Sequence, residues 1–434
     1  MLEELALANV GPAPMELKFG QRLNLLTGDN GLGKSFLLDI AWWALTRKWP
    51  AEVNRRMAAG LMARPGDTGP ATIRFAFTAK SKRHEYQSDF DRKVQAWTGP
   101  AGRPPNPGLV IYAQVDGSFA VWDPARNYWR KRGNADVQER PSAYVFTARD
   151  VWDGLPGPNP DGRPPLCNGV ITDWAGWQKE AGPAYDRLRA VLDALSPSDE
   201  ERIVPGSLTR ISLDDPRDIP TLKMPYGQDV PLLHASAGIR RVVALAYLLV
   251  WAWEEHIKAS KLLGVETTEQ IVFLIDEIEA HLHPKWQRRI TRSLLDVVTK
   301  LSPQVRVQLL AATHSPLVMA SVEPLFDDAQ DAWFDLDLRQ KEVGQPPEVE
   351  LTRRPLIRRG DASNWLMSQA FDMRSARSVE AEQAIEAASS LLSSNDINTV
   401  SARVLDGRLR QVLGDTDPFW IRWRYVGEKK GWLS

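Results

Sequence analysis

The segment Gly28-Asp29-Asn30-Gly31-Leu32-Gly33-Lys34-Ser35 combines residue types suited to holding a chain of phosphates. Its glycines let the backbone curl until successive N–H groups point inward at phosphate oxygens. Lys34 is spaced to reach the β- and γ-phosphates, and Ser35 to ligate Mg²⁺. The spacing is that of a Walker A, G-x-x-x-x-G-K-[ST]. An apolar strand is expected before it at Leu23–Thr27, and a helix after it at Lys34–Trp49. The start of that helix adds partial positive charge to the turn.

Three further segments offer matching chemistry. The apolar run Ile271–Ile275 ends on Asp276 and Glu277, a Walker B pattern. Asp276 would orient Mg²⁺, directly or through water, and Glu277 would polarise the attacking water. Thr313-His314-Ser315 follows the strand expected at Val305–Ala312, where a histidine can donate to the γ-phosphate and sense it. Ser236-Ala237-Gly238 opens a helix over 237–260, so its hydroxyl and amides form an anion site, although an ordinary N-cap uses the same residues. His281 and His283 form an H-x-H that would suit zinc, but no third ligand is evident.

The elements that must carry these residues come from a chain of 434 residues, enough for one large domain or two. Its net charge of −1 carries no global basic field, so any nucleic-acid binding needs a local patch. Cys167 is the single cysteine, which excludes an intramolecular disulfide and fits a cytoplasmic location. The longest apolar run, Val242–Trp253, is too short to span a bilayer and reads as a buried helix, so no membrane role is expected. Strands are expected at 71–79, 109–122, 331–338 and 347–352, and helices at Ala184–Leu195, Lys285–Lys300, Val379–Leu392 and Val400–Val412. Pro100–Gly108 and Pro156–Pro165 read as loops.

The four motifs, in this order, resemble the ABC-type ATPase heads of the RecF, SMC and OLD group. The stretches Ile275–Pro284 and Ala312–Pro316 are most similar to the ATPases of bacterial anti-phage defence. The resemblance covers about residues 1–45 and 230–320. It implies an α/β P-loop NTPase head with a mixed sheet, a large insertion between Walker A and signature, and a helical C-terminal region. The implied domains are 1–125 and 231–360 for the two parts of the head, 126–230 for an inserted arm or lid, and 361–434 for a helical region able to dock a partner. The resemblance assigns Gly28 to Ser35 with Ser236 and Gly238 to ATP, Ser35 and Asp276 to Mg²⁺, Glu277 as catalytic carboxylate and His314 as switch. Glu279–His283 becomes the D-loop. Gln87 and Gln114 both stand as Q-loop candidates. The signature departs from a transporter's in having His234-Ala235 where Leu-Ser is usual.

In such heads the signature of one subunit caps ATP held by another, so a homodimer or higher oligomer closing on ATP is implied. The expected function is an ATP-hydrolysing switch that regulates a DNA-acting effector in phage defence or DNA repair. By resemblance the closest organisation is the ATPase of Septu-type systems, which works with an HNH endonuclease. An OLD-type nuclease acting by itself is the alternative, with Asp335-Leu336-Asp337 as its D-x-D. A transporter subunit is the third class. DNA-facing candidates are Arg55-Arg56, Lys80 with Lys82-Arg83, Arg130–Arg132, and Arg353-Arg354 with Arg358-Arg359, with Tyr128 and Trp129 placed to stack a base. Phe419, Trp420 and Trp423 are candidate docking aromatics.

Overall fold

The computed structural model describes residues 1–99, 105–127, 141–157, 164–340, 344–394 and 398–432. They form two compact units, Met1–Gly360 and Asp361–Ser434. The first begins with β1 (Leu2–Ala8), β2 (Met15–Lys18), β3 (Leu23–Gly28), α1 (Lys34–Thr46), α2 (Pro50–Val53), β4 (Thr72–Ala79), β5 (Lys82–Asp91) and β6 (Ala96–Trp97). It continues through β7 (Leu109–Ala113), β8 (Phe119–Trp122), β9 (Tyr144–Phe146), α3 (Ala148–Asp153), α4 (Gly169–Glu180) and α5 (Pro183–Ala194). Three short strands, β10 (Val204–Pro205), β11 (Thr221–Lys223) and β12 (Asp229–Pro231), precede the long α6 (Ala237–Leu263). The unit closes with β13 (Gln270–Ile275), α7 (Pro284–Gln287), α8 (Ile290–Leu301), β14 (Arg306–Ala312), α9 (Pro316–Val322), β15 (Ala332–Arg339) and β16 (Glu348–Arg354).

An eight-stranded mixed sheet, ordered β16-β15-β3-β14-β13-β7-β8-β9, carries the site. Its middle strands β15, β3, β14, β13 and β7 run parallel. The flanking β16, β8 and β9 run antiparallel to their neighbours. β3, β7 and β13 are buried along their whole length, which is why they read as unbroken apolar runs rather than alternating ones. The run expected at 109–122 is two strands, because the turn Gln114–Ser118 reverses the chain, with Gln114 N donating to Ser118 O at 3.0 Å.

A second, antiparallel sheet has the order β2-β1-β4-β5-β6. Helix α1 lies between the two sheets. Leu2, Leu5 and Leu7 of β1, Leu38, Trp42 and Trp43 of α1, and Val272, Leu274 and Leu310 of the mixed sheet share one core. Trp43 stacks on Trp49 with ring centroids 5.3 Å apart, so these tryptophans serve packing. This layer holds the start of α1, and with it the phosphate turn, rigidly.

On the other side α6 lays Trp251 edge-on to Tyr144 and Phe146 of β9, at 5.6 and 5.3 Å. Its far half is pinned by His256, whose Nδ1 meets Asp123 Oδ1 at 2.7 Å while its Nε2 accepts the N–H of Thr268 at 2.9 Å. With Ser260 3.5 Å away this looks like a hydrolase triad. The Thr268 amide already occupies Nε2, and all three side chains are buried, so the trio is a structural tie.

Two expectations change here. Within the segment 126–230, expected as an arm or lid, the described helix α5 packs against the head. Leu188, Val191 and Leu192 are buried, Arg187 pairs with Glu254 of α6, and Trp286 Nε1 donates to Leu195 O at 2.9 Å. The helix expected at Lys285–Lys300 is two helices, α7 and α8, broken at Arg288-Arg289. There the Gln287 side chain turns back, donating to Leu282 O at 2.9 Å.

The second unit comprises α10 (Ala362–Leu366), α11 (Val379–Ser393), α12 (Thr399–Val412) and α13 (Phe419–Lys430). Ala381, Ala384, Ala388, Ala402, Leu409, Trp420, Trp423 and Trp432 form its core. Trp420 and Trp423 are therefore interior packing residues and not exposed docking anchors. Among the described residues no helix is long and apolar enough to cross a membrane.

Candidate functional site

The parallel strands β3, β14, β13 and β7 end side by side, and each delivers one functional segment from its C-terminal end. β3 leads into Gly28–Ser35, β14 into Thr313-His314, β13 into Asp276-Glu277 and β7 into Gln114. Ligands of open α/β sheets bind in this position. Lys34 and Asp276 come from strands separated only by β14, which carries the histidine between them.

The turn is shaped by its glycines. Gly28, Gly31 and Gly33 adopt φ values of 132°, 83° and 106°, a region costly for side-chain-bearing residues. A Cβ on Gly28 would also stand 2.2 Å from the carbonyl oxygen of Leu336 on β15. Asp29, Asn30 and Gly31 are exposed, while Leu32 buries its side chain in the α1 core and leaves only its backbone to the turn. The N-terminus of α1 has no side-chain cap and no acidic residue in its first turn, so its amides are open to an anion.

Lys34 donates from Nζ to Gly28 O at 2.7 Å and Asp29 O at 2.8 Å, so the ammonium lies inside the turn. Burial lowers its pKa, opposed by Asp276, Asp29, Glu277 and Glu279. Asp276 is buried, and burial pushes its carboxyl up. Ser35 pulls it back by a hydrogen bond, and Lys34 and Arg241 pull it back by charge. Its Oδ1 is buried without a hydrogen-bond partner. An orphaned carboxylate oxygen beside a serine hydroxyl is a donor set that fits Mg²⁺. Glu277 follows in a left-handed conformation, φ 46°, an arrangement that a non-glycine residue adopts at a cost.

His314 is half-buried beside the turn. Burial lowers its pKa first and the Lys34 charge lowers it further, so at neutral pH the ring is uncharged. Its backbone is fixed by the first residue of the expected D-loop, in a contact that the motif pattern does not indicate. Glu279 accepts from His314 N at 2.5 Å and from Thr313 Oγ1 at 2.7 Å. The only sequence signal for this is an acidic residue two positions after Glu277.

Ser236 is exposed and caps α6 through Ile239 N at 3.4 Å, so the anion site it offers faces solvent. Gly238 lies against the following loop, where an added Cβ would stand 2.6 Å from His281 O. His283 accepts from Lys285 N at 3.3 Å and caps α7, and among the described residues no group of three or more His, Cys, Asp or Glu side chains is placed to hold a metal. Of the two glutamines, Gln114 is buried at the end of β7, whereas Gln87 lies on β5 of the other sheet. Of the two, only Gln114 lies at the strand ends that carry the other candidate segments.

The basic clusters largely serve the fold. Arg83 pairs with Glu3, Glu4 and Glu85, and Arg56 with Asp150. Arg354 pairs with Asp335 at 2.6 Å, and Arg353 donates to Asp331 O at 3.4 Å. Asp335 also accepts from Thr27 Oγ1 at 2.7 Å, which ties the D-x-D to β3. Tyr128, Trp129 and Arg130–Arg132 lie outside the described residues.

Residues 23–320, which contain all of these segments, match the family described as "AAA domain, putative AbiEii toxin, Type IV TA system". The chain belongs to this family. The matched segment begins at β3 and ends in α9. Among curated proteins, the chain is 28% identical over 163 residues to "Retron Ec83 probable ATPase" of Escherichia coli, covering 37% of this chain and 26% of that protein. It is 28% identical over 109 residues to "Septu protein PtuA" of Bacillus thuringiensis, covering 25% of this chain and 26% of that protein. It is 43% identical over 51 residues to "Retron Vc95 probable ATPase" of Vibrio cholerae, 12% of this chain and 9% of that protein. The chain thus spans about a quarter or less of the curated relatives it matches. Among solved structures, the "SMC head domain from Thermotoga maritima" matches at TM-score 0.37 and 13% identity, covering 82% of this chain and 99% of that one. A RecF structure matches at TM-score 0.36 and 11% identity, covering 78% and 96%.

Proposed function

We propose that this chain binds and hydrolyses ATP and works as a switch that closes two copies around the nucleotide. The observation that carries this reading is the convergence of Lys34, Ser35, Asp276, Glu277 and His314 at the ends of neighbouring parallel strands. The phosphates sit on the turn amides and the α1 N-terminus, with Lys34 moving from its carbonyl partners to the β- and γ-phosphates. Ser35 and Asp276 would hold Mg²⁺, which would neutralise charge on those phosphates. Glu277 orients the attacking water, and neutral His314 donates to the γ-phosphate. Asp29, Asn30, Gly31, Leu32 and Gly33 contribute backbone groups.

Ser236 is exposed at the start of α6, with the half-buried Gly238 beside it, which supports their use against the nucleotide of a second copy. The retron and Septu relatives support a role in anti-phage defence, in which the clamp controls an effector. We place that effector, an HNH-type nuclease, in a separate cytoplasmic partner, because Asp335 is committed to Arg354 and Thr27. The test is ATP hydrolysis by the purified chain with and without Mg²⁺, alongside Lys34→Ala and Asp276→Asn. Hydrolysis lost in both variants supports the reading. Equal phosphate release from all three proteins sinks it.

A further inference from the structure

Arg241 carries a guanidinium that the site described so far does not use. Both of its terminal nitrogens, Nη1 and Nη2, are buried with no hydrogen-bond partner. The group hangs from the first turns of α6, five residues after Ser236, and lies over the Phe119 ring at 5.9 Å. An added Cβ on Gly117 would stand 3.9 Å from Nη1, so the head abuts the turn that follows Gln114. The charges it faces are three carboxylates: Asp116 in that turn, and Asp276 and Glu277 at the end of β13. Arg240, its neighbour, is exposed.

Burying a guanidinium with unmade hydrogen bonds is costly, and such a group is stable only where an acceptor is within a small movement. Of the three carboxylates, Asp276 Oδ1 is itself buried without a partner and is the oxygen assigned above to Mg²⁺. Asp116 already accepts from Ser118 N at 2.9 Å and from the Ser118 hydroxyl, so its lone pairs are partly spent. Glu277 is half-buried at the end of β13, in a left-handed backbone conformation. Five residues of helix are about 7.5 Å long, so Ser236 and Arg241 move as one rigid piece.

We propose that Arg241 is a positioning residue that transmits the state of the Ser236 turn to Glu277 through the start of α6. When a second copy's nucleotide seats on Ser236, the guanidinium leaves its unpartnered position and pairs with Glu277, fixing the carboxylate against the attacking water. Without that contact it stays balanced between Asp116 and the β13 carboxylates. Turnover is thereby tied to assembly. The inference rests on the proposed role of Glu277, which a separate arm of the test covers.

The experiment measures ATP affinity, ATP-dependent association and turnover for Arg241→Gln, Arg241→Lys, Asp116→Asn and Glu277→Gln beside the unaltered chain. Arg241→Gln is expected to keep ATP affinity within about twofold and to keep association, while kcat falls about tenfold or more, with Arg241→Lys in between. A purely structural arginine would lose binding together with turnover. Asp116→Asn leaves Arg241 only the β13 carboxylates and is expected to raise kcat about twofold, an effect that disappears when Arg241→Gln is added. This second variant keeps the test decisive even if Arg241→Gln folds poorly. Unchanged kcat in Arg241→Gln, or additive effects of the two substitutions, overturns the inference. If the unaltered chain hydrolyses no ATP, or Glu277→Gln matches it, the proposed function itself has failed.

Discussion

The carboxylate of Glu279 accepts the backbone N–H of His314 at 2.5 Å, joining the loop after β13 to the loop after β14. One carboxylate therefore sets the height of the switch histidine above the phosphate turn. Burial raises its pKa, and the Thr313 hydroxyl and His314 amide offset that penalty. Glu279→Ala leaves both donors unpaired, with an expected loss of about 1–3 kcal/mol of stability. ATP affinity is expected to hold while turnover falls about tenfold or more, because His314 loses its alignment. Nucleotide titration beside steady-state kinetics checks this, and a variant equal to wild type in turnover removes Glu279 from the account.

What was legible in the sequence follows from local rules. Gly28–Ser35 and Ile271–Glu277 announce themselves because a tight phosphate turn needs glycines and a doubly covered strand needs an unbroken apolar run. The position of Asp276, Glu277 and His314 at strand ends was readable for the same reason. The contacts of Arg241 and of Glu279, which the sequence placed in a D-loop, were not, since a charged residue in or near a motif looks the same in a sequence whether it is solvated or buried. The pairing of Arg354 with Asp335, and of Arg83 with Glu3 and Glu4, depends on strands brought together by the fold, so in the sequence those arginines read as candidates for a DNA-facing surface. The break between α7 and α8 has no proline or glycine to signal it. There Arg289 leaves the helical region, with φ −122°, and its N–H donates to Trp286 O at 2.9 Å, a tightened bond to the third residue back.

Asp39, one turn after Ser35 on α1, accepts from Tyr112 Oη at 3.0 Å. Burial pushes its carboxyl up from 3.8 to about 7. Between those values the folded chain binds the proton more tightly than the unfolded chain. Its contribution to stability is full below the unfolded pKa and is lost as pH rises towards 7. Asp39→Asn removes this term. Denaturant unfolding at pH 5, 6, 7 and 8 is expected to show the variant gaining on wild type as pH rises and levelling off above the folded pKa. A constant difference across the series contradicts the buried assignment of Asp39.

The glycines of the phosphate turn differ in what surrounds them. Gly31 has open space where a methyl group would stand but a φ of 83°, so Gly31→Ala is expected to cost about 1–2 kcal/mol from backbone strain alone. Gly28→Ala adds a collision with Leu336 O at 2.2 Å and forces β15 away from β3. Its unfolding midpoint is expected to fall clearly below that of Gly31→Ala. The reverse order would mean that the turn is not packed against β15.

Asp335 offers a separation between structural and catalytic carboxylates. It is buried, held by Thr27 and Arg354, and Asp335→Ala takes the carboxylate away from the Arg354 guanidinium and the Thr27 hydroxyl at an expected cost of about 3–5 kcal/mol. Stability, and with it ATP binding, is expected to drop. Mg²⁺-dependent DNA cleavage by the unaltered chain, lost in this variant while the fold holds, would assign Asp335 to a nuclease centre instead.

The clamp itself is tested most directly by light scattering of Glu277→Gln with and without Mg²⁺-ATP. Removing the carboxylate that orients water, while leaving Lys34, Ser35 and Asp276 in place, should trap the bound state. The account predicts a monomer without nucleotide, a stable dimer with ATP, and no phosphate release from that dimer. A monomer under both conditions, with ATP bound, would contradict it.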